Sequence, residues 1–289
     1  MIWDTIFQPF AEFGFMRRAL LGCIAISVGA TPVGTFLMLR RMSLTGDAMA
    51  HAILPGAAVG FLVFGLSLIP MTIGGLTAGL LVALLSGFVT RMTILREDAS
   101  LAAFYLISLA IGVLIVSTRG SNVDLMHVLF GTVLALDDAT LILLCSISSF
   151  SLVTLSLLFR PLVLECADPQ FFRSVSGLSA ITHFTFLLLV VLNLVGGFHA
   201  IGTLMAVGVM ILPATSARFW AISIGGMIAT AVAIAMISSL IGLLLSFYYS
   251  LPSGPAIILV NGIVYGLSVF LGPIGGLLTQ TINQQQLKI

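Results

Sequence analysis

Asp47 is the only carboxylate between Glu12 and Glu97, and His51 follows it by four residues. On an α-helix of about 3.6 residues per turn, that spacing is about 40° of rotation and about 6 Å of rise, so both side chains share one face. A carboxylate oxygen and a neutral imidazole nitrogen are ligands for divalent zinc, manganese or iron, with zinc bonds of about 2.0–2.2 Å. One such pair makes a weak, two-ligand site. Two copies of the helix meeting across a dimer axis would supply two oxygens and two nitrogens, enough to strip most water from a divalent ion. Ala48, Met49, Ala50 and Ala52 are small or flexible and let a second helix approach. The same spacing admits a plainer arrangement, in which Asp47, after Thr45 and Gly46, caps a helix N-terminus and His51 packs in the interior.

The elements that hold this pair are set by composition. Of 289 residues, 60% are hydrophobic and 7% charged, with a mean hydropathy of +1.23, whereas soluble domains carry about 25% charged residues. An ordinary soluble globule is excluded. At about 20 apolar residues per crossing, the length accommodates about eight or nine transmembrane helices with short connections, read as a single domain over residues 1–289. Eleven basic against ten acidic residues leave no basic face for nucleic acid. Cys23, Cys145 and Cys166 are odd in number and far apart, which points to packing residues and not to a disulfide framework or a thiolate metal site. The first fourteen residues, MIWDTIFQPFAEFG, contain no base before Arg17, unlike a cleavable signal peptide. A short interfacial helix is expected there.

Apolar runs fall at about 15–39, 47–65, 67–90, 99–117, 139–159, 179–196, 200–217, 219–249 and 254–276. Runs of this length are not the short alternating strands of an outer-membrane barrel, and inside a bilayer the backbone must satisfy its own hydrogen bonds, so the fold class is all-α. If the 200–217 run crosses only in part, eight spans remain. Arg40 and Arg41 follow the first run, Arg91 and Arg96 the third, and Arg160 and Arg173 the fifth. Those connections belong on the cytoplasmic side, with the N-terminus outside. Arg17, Arg18 and Arg119 oppose that bias. Helix packing is expected to account for Pro32, Pro55, Pro70, Pro213 and Pro273 and for the pairs Gly56/Gly60 and Gly75/Gly79, the alternative being prolines that break helices around a substrate path.

Residues 40–56, Arg-Arg-Met-Ser-Leu-Thr-Gly-Asp-Ala-Met-Ala-His-Ala-Ile-Leu-Pro-Gly, resemble the signature of the zinc/manganese/iron permease family of ABC transporters. Asp124–Gly131, Gly202–Ala217 and Leu251–Pro255 are similar to further segments of that family, so the resemblance covers essentially the whole chain. It implies a multi-pass permease of the bacterial inner membrane that works as a homodimer, or beside a similar permease. The implied partners are a cytoplasmic ATP-binding subunit and an extracytoplasmic metal-binding protein. It also implies that Asp47 and His51 line the metal path at the dimer interface. The transported ion is zinc, manganese or iron, and two carboxylates with two imidazoles lean slightly to zinc over manganese. No prosthetic group is implied.

Residues 162–177 are similar to the family's coupling region, which docks on the ATP-binding subunit. There Asp168 can cap a short helix opened by Pro169, Phe171 and Phe172 offer an apolar knob, and Glu165 and Arg173 can pair with the partner. His127, His183 and His199 read as structural or interfacial. His199, in an expected turn Gly196-Gly-Phe-His-Ala between two apolar runs, is the secondary candidate for a metal relay. Asp137 and Asp138 read as caps of the fifth long helix, and Glu97 and Asp98 as caps of the fourth. Lys288 is the sole lysine, so a Walker A lysine is lacking and the chain is expected not to be an enzyme. The alternative is a gradient-driven carrier or channel in which Asp47 and His51 carry protons.

Overall fold

The computed structural model describes residues 2–65, 67–119 and 133–279, and its regular elements are helices. They are α1 (Ile2–Glu12), α2 (Gly14–Leu39), α3 (Ser43–Phe64), α4 (Leu68–Met92), α5 (Glu97–Arg119), α6 (Asp138–Leu157), α7 (Phe159–Ala167), α8 (Pro169–Val175), α9 (Leu178–Ile201), α10 (Thr203–Ala217), α11 (Ile224–Tyr249) and α12 (Ser253–Leu271), with one 3₁₀ turn at Val133–Ala135. Among the described residues, eight helices are long and apolar enough to cross a membrane. The ninth apolar helix, α10, has 15 residues and is about 22 Å long, short of the roughly 30 Å hydrocarbon core. His127, the Asp124–Gly131 segment and Lys288 lie outside the described residues.

α2 and α9 form the centre, since 78% and 61% of their most apolar windows are enclosed, against 17% for α5. Phe36 and Leu37 on α2 and Phe186, Leu187, Leu189 and Val190 on α9 are fully packed. Between these helices and α6, small hydroxyl and amide groups bond across: Ser148 Oγ donates to the Ala25 carbonyl at 2.6 Å, and Asn193 Nδ2 to Ser151 Oγ at 2.8 Å. Such bonds and close contacts hold helices together where lipid removes the hydrophobic drive. Large apolar side chains such as Phe88, Ile111, Val153 and Leu259 face outward.

Two expected boundaries move. α3 begins at Ser43, so Asp47 lies in its second turn; the N-cap is Met42, which makes no side-chain cap bond. Asp47 therefore does not cap the helix. His199 lies not in a turn but in the last turn of α9, which runs through Gly196 and Gly197 and breaks at Gly202 with φ +83°. α2, α3 and α10 continue through Pro32, Pro55 and Pro213. Asp137 does cap α6, accepting from the Thr140 amide at 3.0 Å. Hydrogen bonds from the Thr140 side chain and backbone hold its carboxyl below the usual range.

α3 and α4 pack antiparallel along a glycine seam. A Cβ on Gly56 would run into the Gly74 carbonyl, and one on Gly60 would stand 2.5 Å from the Pro70 carbonyl oxygen. Gly56→Val is expected to cost upwards of about 1–3 kcal/mol by overpacking. A lowered unfolding midpoint and a smaller monodisperse fraction in detergent would register it; unchanged values would contradict the seam. The Arg40–Glu165 contact, 3.1 Å, sets the α2–α3 turn and α7 at one end of the bundle. At the other end Arg18 meets Asp138 at 3.4 Å, so one of the three basic residues that oppose the charge bias has an acidic neighbour.

Candidate functional site

Asp47 and His51 stand on the outer flank of α3. Asp47 Oδ1 is 3.8 Å from His51 Nε2, and the Asp47 side chain is 53% exposed. Leu44, one turn before, is 82% exposed. Two ligands each about 2.1 Å from one ion at a tetrahedral angle stand about 3.4 Å apart, so a few tenths of an ångström of side-chain adjustment brings this pair onto a shared ion. The His51 ring lies against Tyr105 of α5, centroids 6.2 Å apart and planes 28° apart. Its Nδ1 is buried and has no hydrogen-bond partner among the described residues, which leaves Nε2, on the Asp47 side, as the outward nitrogen. α5 comes close enough to support the ring because Gly112 packs on Pro55 and Ser108 Oγ donates to the Ala52 carbonyl at 3.2 Å. Among the described residues no group of three or more His, Cys, Asp or Glu is assembled. One chain brings two ligands.

His199 is not brought to this pair. Its Nε2 is 2.9 Å from Thr72 Oγ1, and that hydroxyl donates to the Leu68 carbonyl at 2.7 Å. A hydroxyl has one proton, so the ring N–H donates to Thr72. The pairing of Gly56 with Gly74 and of Gly60 with Pro70 sets Thr72 level with residue 58, eleven residues and about 16 Å along α3 from Asp47.

The segment after α6 forms the short helices α7 and α8. Asp168 caps α8 as its sequence suggests: Oδ1 accepts from the Gln170 and Phe171 amides at 3.0 and 2.9 Å, with Pro169 in the first turn. Phe171 is 57% exposed and Arg173 is exposed, whereas Phe172 is buried. The apolar knob is thus Phe171 alone. Asp168→Ala is expected to cost about 1 kcal/mol of helix stability, read as faster amide exchange over residues 170–175; an unaltered rate would contradict the cap.

Glu165 departs from the expectation of a surface pairing group. Its side chain is 2% exposed and turned inward to Arg40, whose Nη2 donates to Glu165 Oε1 at 3.1 Å and to His183 Nδ1 at 2.8 Å. The guanidinium carbon stands 4.9 Å over the Phe186 ring. Burial pushes the neighbouring Cys166 thiol up to about 11, with Arg40 opposing the shift and Glu165 adding to it. In the amino-acid sequence Arg40 reads as an orientation signal and as the first residue of the 40–56 motif, and His183 as structural or interfacial. Separations of 125 and 143 residues leave no local pattern that would have joined them.

Residues 12–272 match the family described as the ABC 3 transport family. The manganese import system permease protein ScaB of Streptococcus parasanguinis is 32% identical over 262 residues, covering 91% of this chain and 92% of its own. The chelated iron transport system membrane protein YfeD of Yersinia pestis is 27% identical over 265 residues, covering 92% of this chain and 88% of its own. Among solved structures, the chain is similar to one described as PsaBC from Streptococcus pneumoniae in complex with Fab, with a TM-score of 0.83, 28% identity and 100% of both chains covered.

Proposed function

Because this chain belongs to the ABC 3 transport family, we propose that two copies of it enclose a metal path, with Asp47 and His51 of each copy as the ligands. The chain is the membrane-spanning permease subunit of an ABC importer of divalent metal ions in the bacterial cell membrane, and ATP hydrolysis belongs to a separate subunit. The observation that carries the two-copy site is the exposure of Asp47. A carboxylate 53% exposed on a flank otherwise presenting Leu44 costs several kcal/mol against lipid. A second α3 laid against it replaces lipid with two more ligands, and the cation relieves the repulsion between facing carboxylates.

Manganese or iron is the cargo favoured by the relatives' names, which shifts the reading away from zinc. The donor set is compatible, since carboxylate oxygen suits manganese and imidazole suits iron. An extracytoplasmic binding protein delivers the ion, and Phe171, Arg173 and the Asp168-capped helix present the docking surface for the ATP-binding subunit.

The test is manganese uptake into proteoliposomes containing the permease with and without its ATP-binding subunit. Uptake that requires the subunit and ATP supports the proposal; uptake by the permease alone, driven by a proton gradient, would overturn it in favour of a carrier. Binding of manganese to the detergent-solubilised permease is expected to weaken steadily on acidification, because protons compete for the imidazole and carboxylate ligands. Isothermal titration across pH checks this, and affinity independent of pH would exclude both ligand types.

A further inference from the structure

The geometry points to Arg40, Glu165 and His183 as positioning residues that carry movement of the coupling segment to the metal-bearing helix. This rests on the permease reading above. The three groups come from the C-cap of α2, from α7 and from α9, and they meet where the Arg40 and Glu165 side chains are 8% and 2% exposed and that of His183 is 4% exposed.

The cluster is built unlike a saturated structural ion pair. Arg–carboxylate pairs commonly form a two-pronged fork, yet here only Glu165 Oε1 meets Arg40, through Nη2 alone. Glu165 Oε2 and Arg40 Nη1 are both buried with no hydrogen-bond partner among the described residues. Nη2 is meanwhile shared with His183 Nδ1. A displacement of α7 that set Oε2 on Nη1 would close the fork and give the same groups a second arrangement. A buried, bistable contact of this kind converts a small shift into a switch.

Both ends of the cluster are tied to the machinery. On one side, Glu165 is three residues from Asp168 and six from the exposed Phe171. On the other, Arg41 and Met42 alone separate Arg40 from Ser43, the first residue of α3. That turn is pinned by Arg40 N to Phe36 O, Met42 N to Leu37 O and Thr45 N to Met42 O, each 2.9 Å, and by the left-handed Arg41 at φ +57°. Asp47 follows Arg40 by seven residues. Displacement of Arg40 therefore moves the base of the helix that holds the metal ligands.

The experiment uses the complete transporter, permease with ATP-binding subunit and delivery protein, in proteoliposomes with manganese as the probe. Initial uptake and ATP hydrolysis are measured in the same vesicles. Glu165→Gln is expected to lower manganese moved per ATP hydrolysed by about five- to 100-fold, with half-saturating manganese unchanged. Arg40→Lys keeps the buried charge but offers one nitrogen instead of a fork, and the same fall is expected. If Glu165→Gln fails to assemble, Arg40→Lys carries the test. An unchanged ratio in the variant that assembles, or uptake and hydrolysis falling in parallel, overturns the proposal. Wild-type vesicles that show no ATP-driven uptake overturn the permease reading, and this proposal with it; wild-type uptake with a normal ratio in the variants overturns this proposal alone.

Discussion

Asp47→Asn, produced at wild-type levels, is expected to lower manganese uptake by about 100-fold or more while leaving the fold intact. Asparagine keeps the size of the side chain and one carbonyl oxygen but loses the charge that offsets desolvation of a divalent ion. Outer-shell partners of metal ligands are worth about 10–100-fold each, and removal of a ligand should reach at least the upper end. The pairing of two chains doubles the effect, since one substitution removes both carboxylate charges from the site. The fold should tolerate the change, because Asp47 caps nothing and is 53% exposed within one chain. His51→Gln should give a loss of the same order and also release Tyr105 from its ring contact. The check is metal content of cells that lack any other importer of the ion, alongside the protein's elution profile. Uptake at the wild-type rate in either variant would remove the pair from the metal path.

The second large effect concerns stability. Arg40→Leu leaves the Glu165 carboxylate buried opposite no charge, which typically costs about 3–5 kcal/mol. The double variant Arg40→Leu/Glu165→Leu removes both charges and is expected to recover most of the unfolding midpoint in detergent, because paired apolar replacements of buried ion pairs are often neutral or better. Transport by the double variant is expected to stay low, since stability returns without the switching contact. A double variant as unstable as Arg40→Leu would mean that packing around Phe186, not charge pairing, holds the site. A double variant that is stable and transports normally would reduce the cluster to a structural tie.

The Asp47–His51 pair is legible in the amino-acid sequence because both features that define it are local. Isolation of one acid in a long apolar stretch signals a function that offsets its cost, and a spacing of four residues sets two side chains on one helical face. The membrane helices are legible for the same kind of reason, since apolar runs too long for strands leave the backbone one way to satisfy itself. Where local rules misplace a boundary, packing overrides propensity. Gly196 and Gly197 read as a turn, but α9 continues through them because a Cβ there would stand 3.1 Å from Ile147 and 2.5 Å from Ala206; close neighbours select glycine inside the helix. α3 starts four residues before the apolar run, and no side-chain cap marks its beginning.

The direction in which a side chain points, and what it meets there, is decided by long-range packing. Glu165 and Phe172 sit in the segment that sequence marks for docking, yet the fold turns both inward and leaves Phe171 and Arg173 outside. Arg40, Glu165 and His183 come from three elements, with Arg40 more than a hundred residues from either partner, and no periodicity connects them. The sequence by itself determined an all-helical membrane protein with a carboxylate and an imidazole on one helical face, because composition, run length and a four-residue spacing act locally. Only the tertiary structure decided that this face stays open on a single chain, and that a buried arginine ties the turn before it to α7, because both depend on which distant helices pack together.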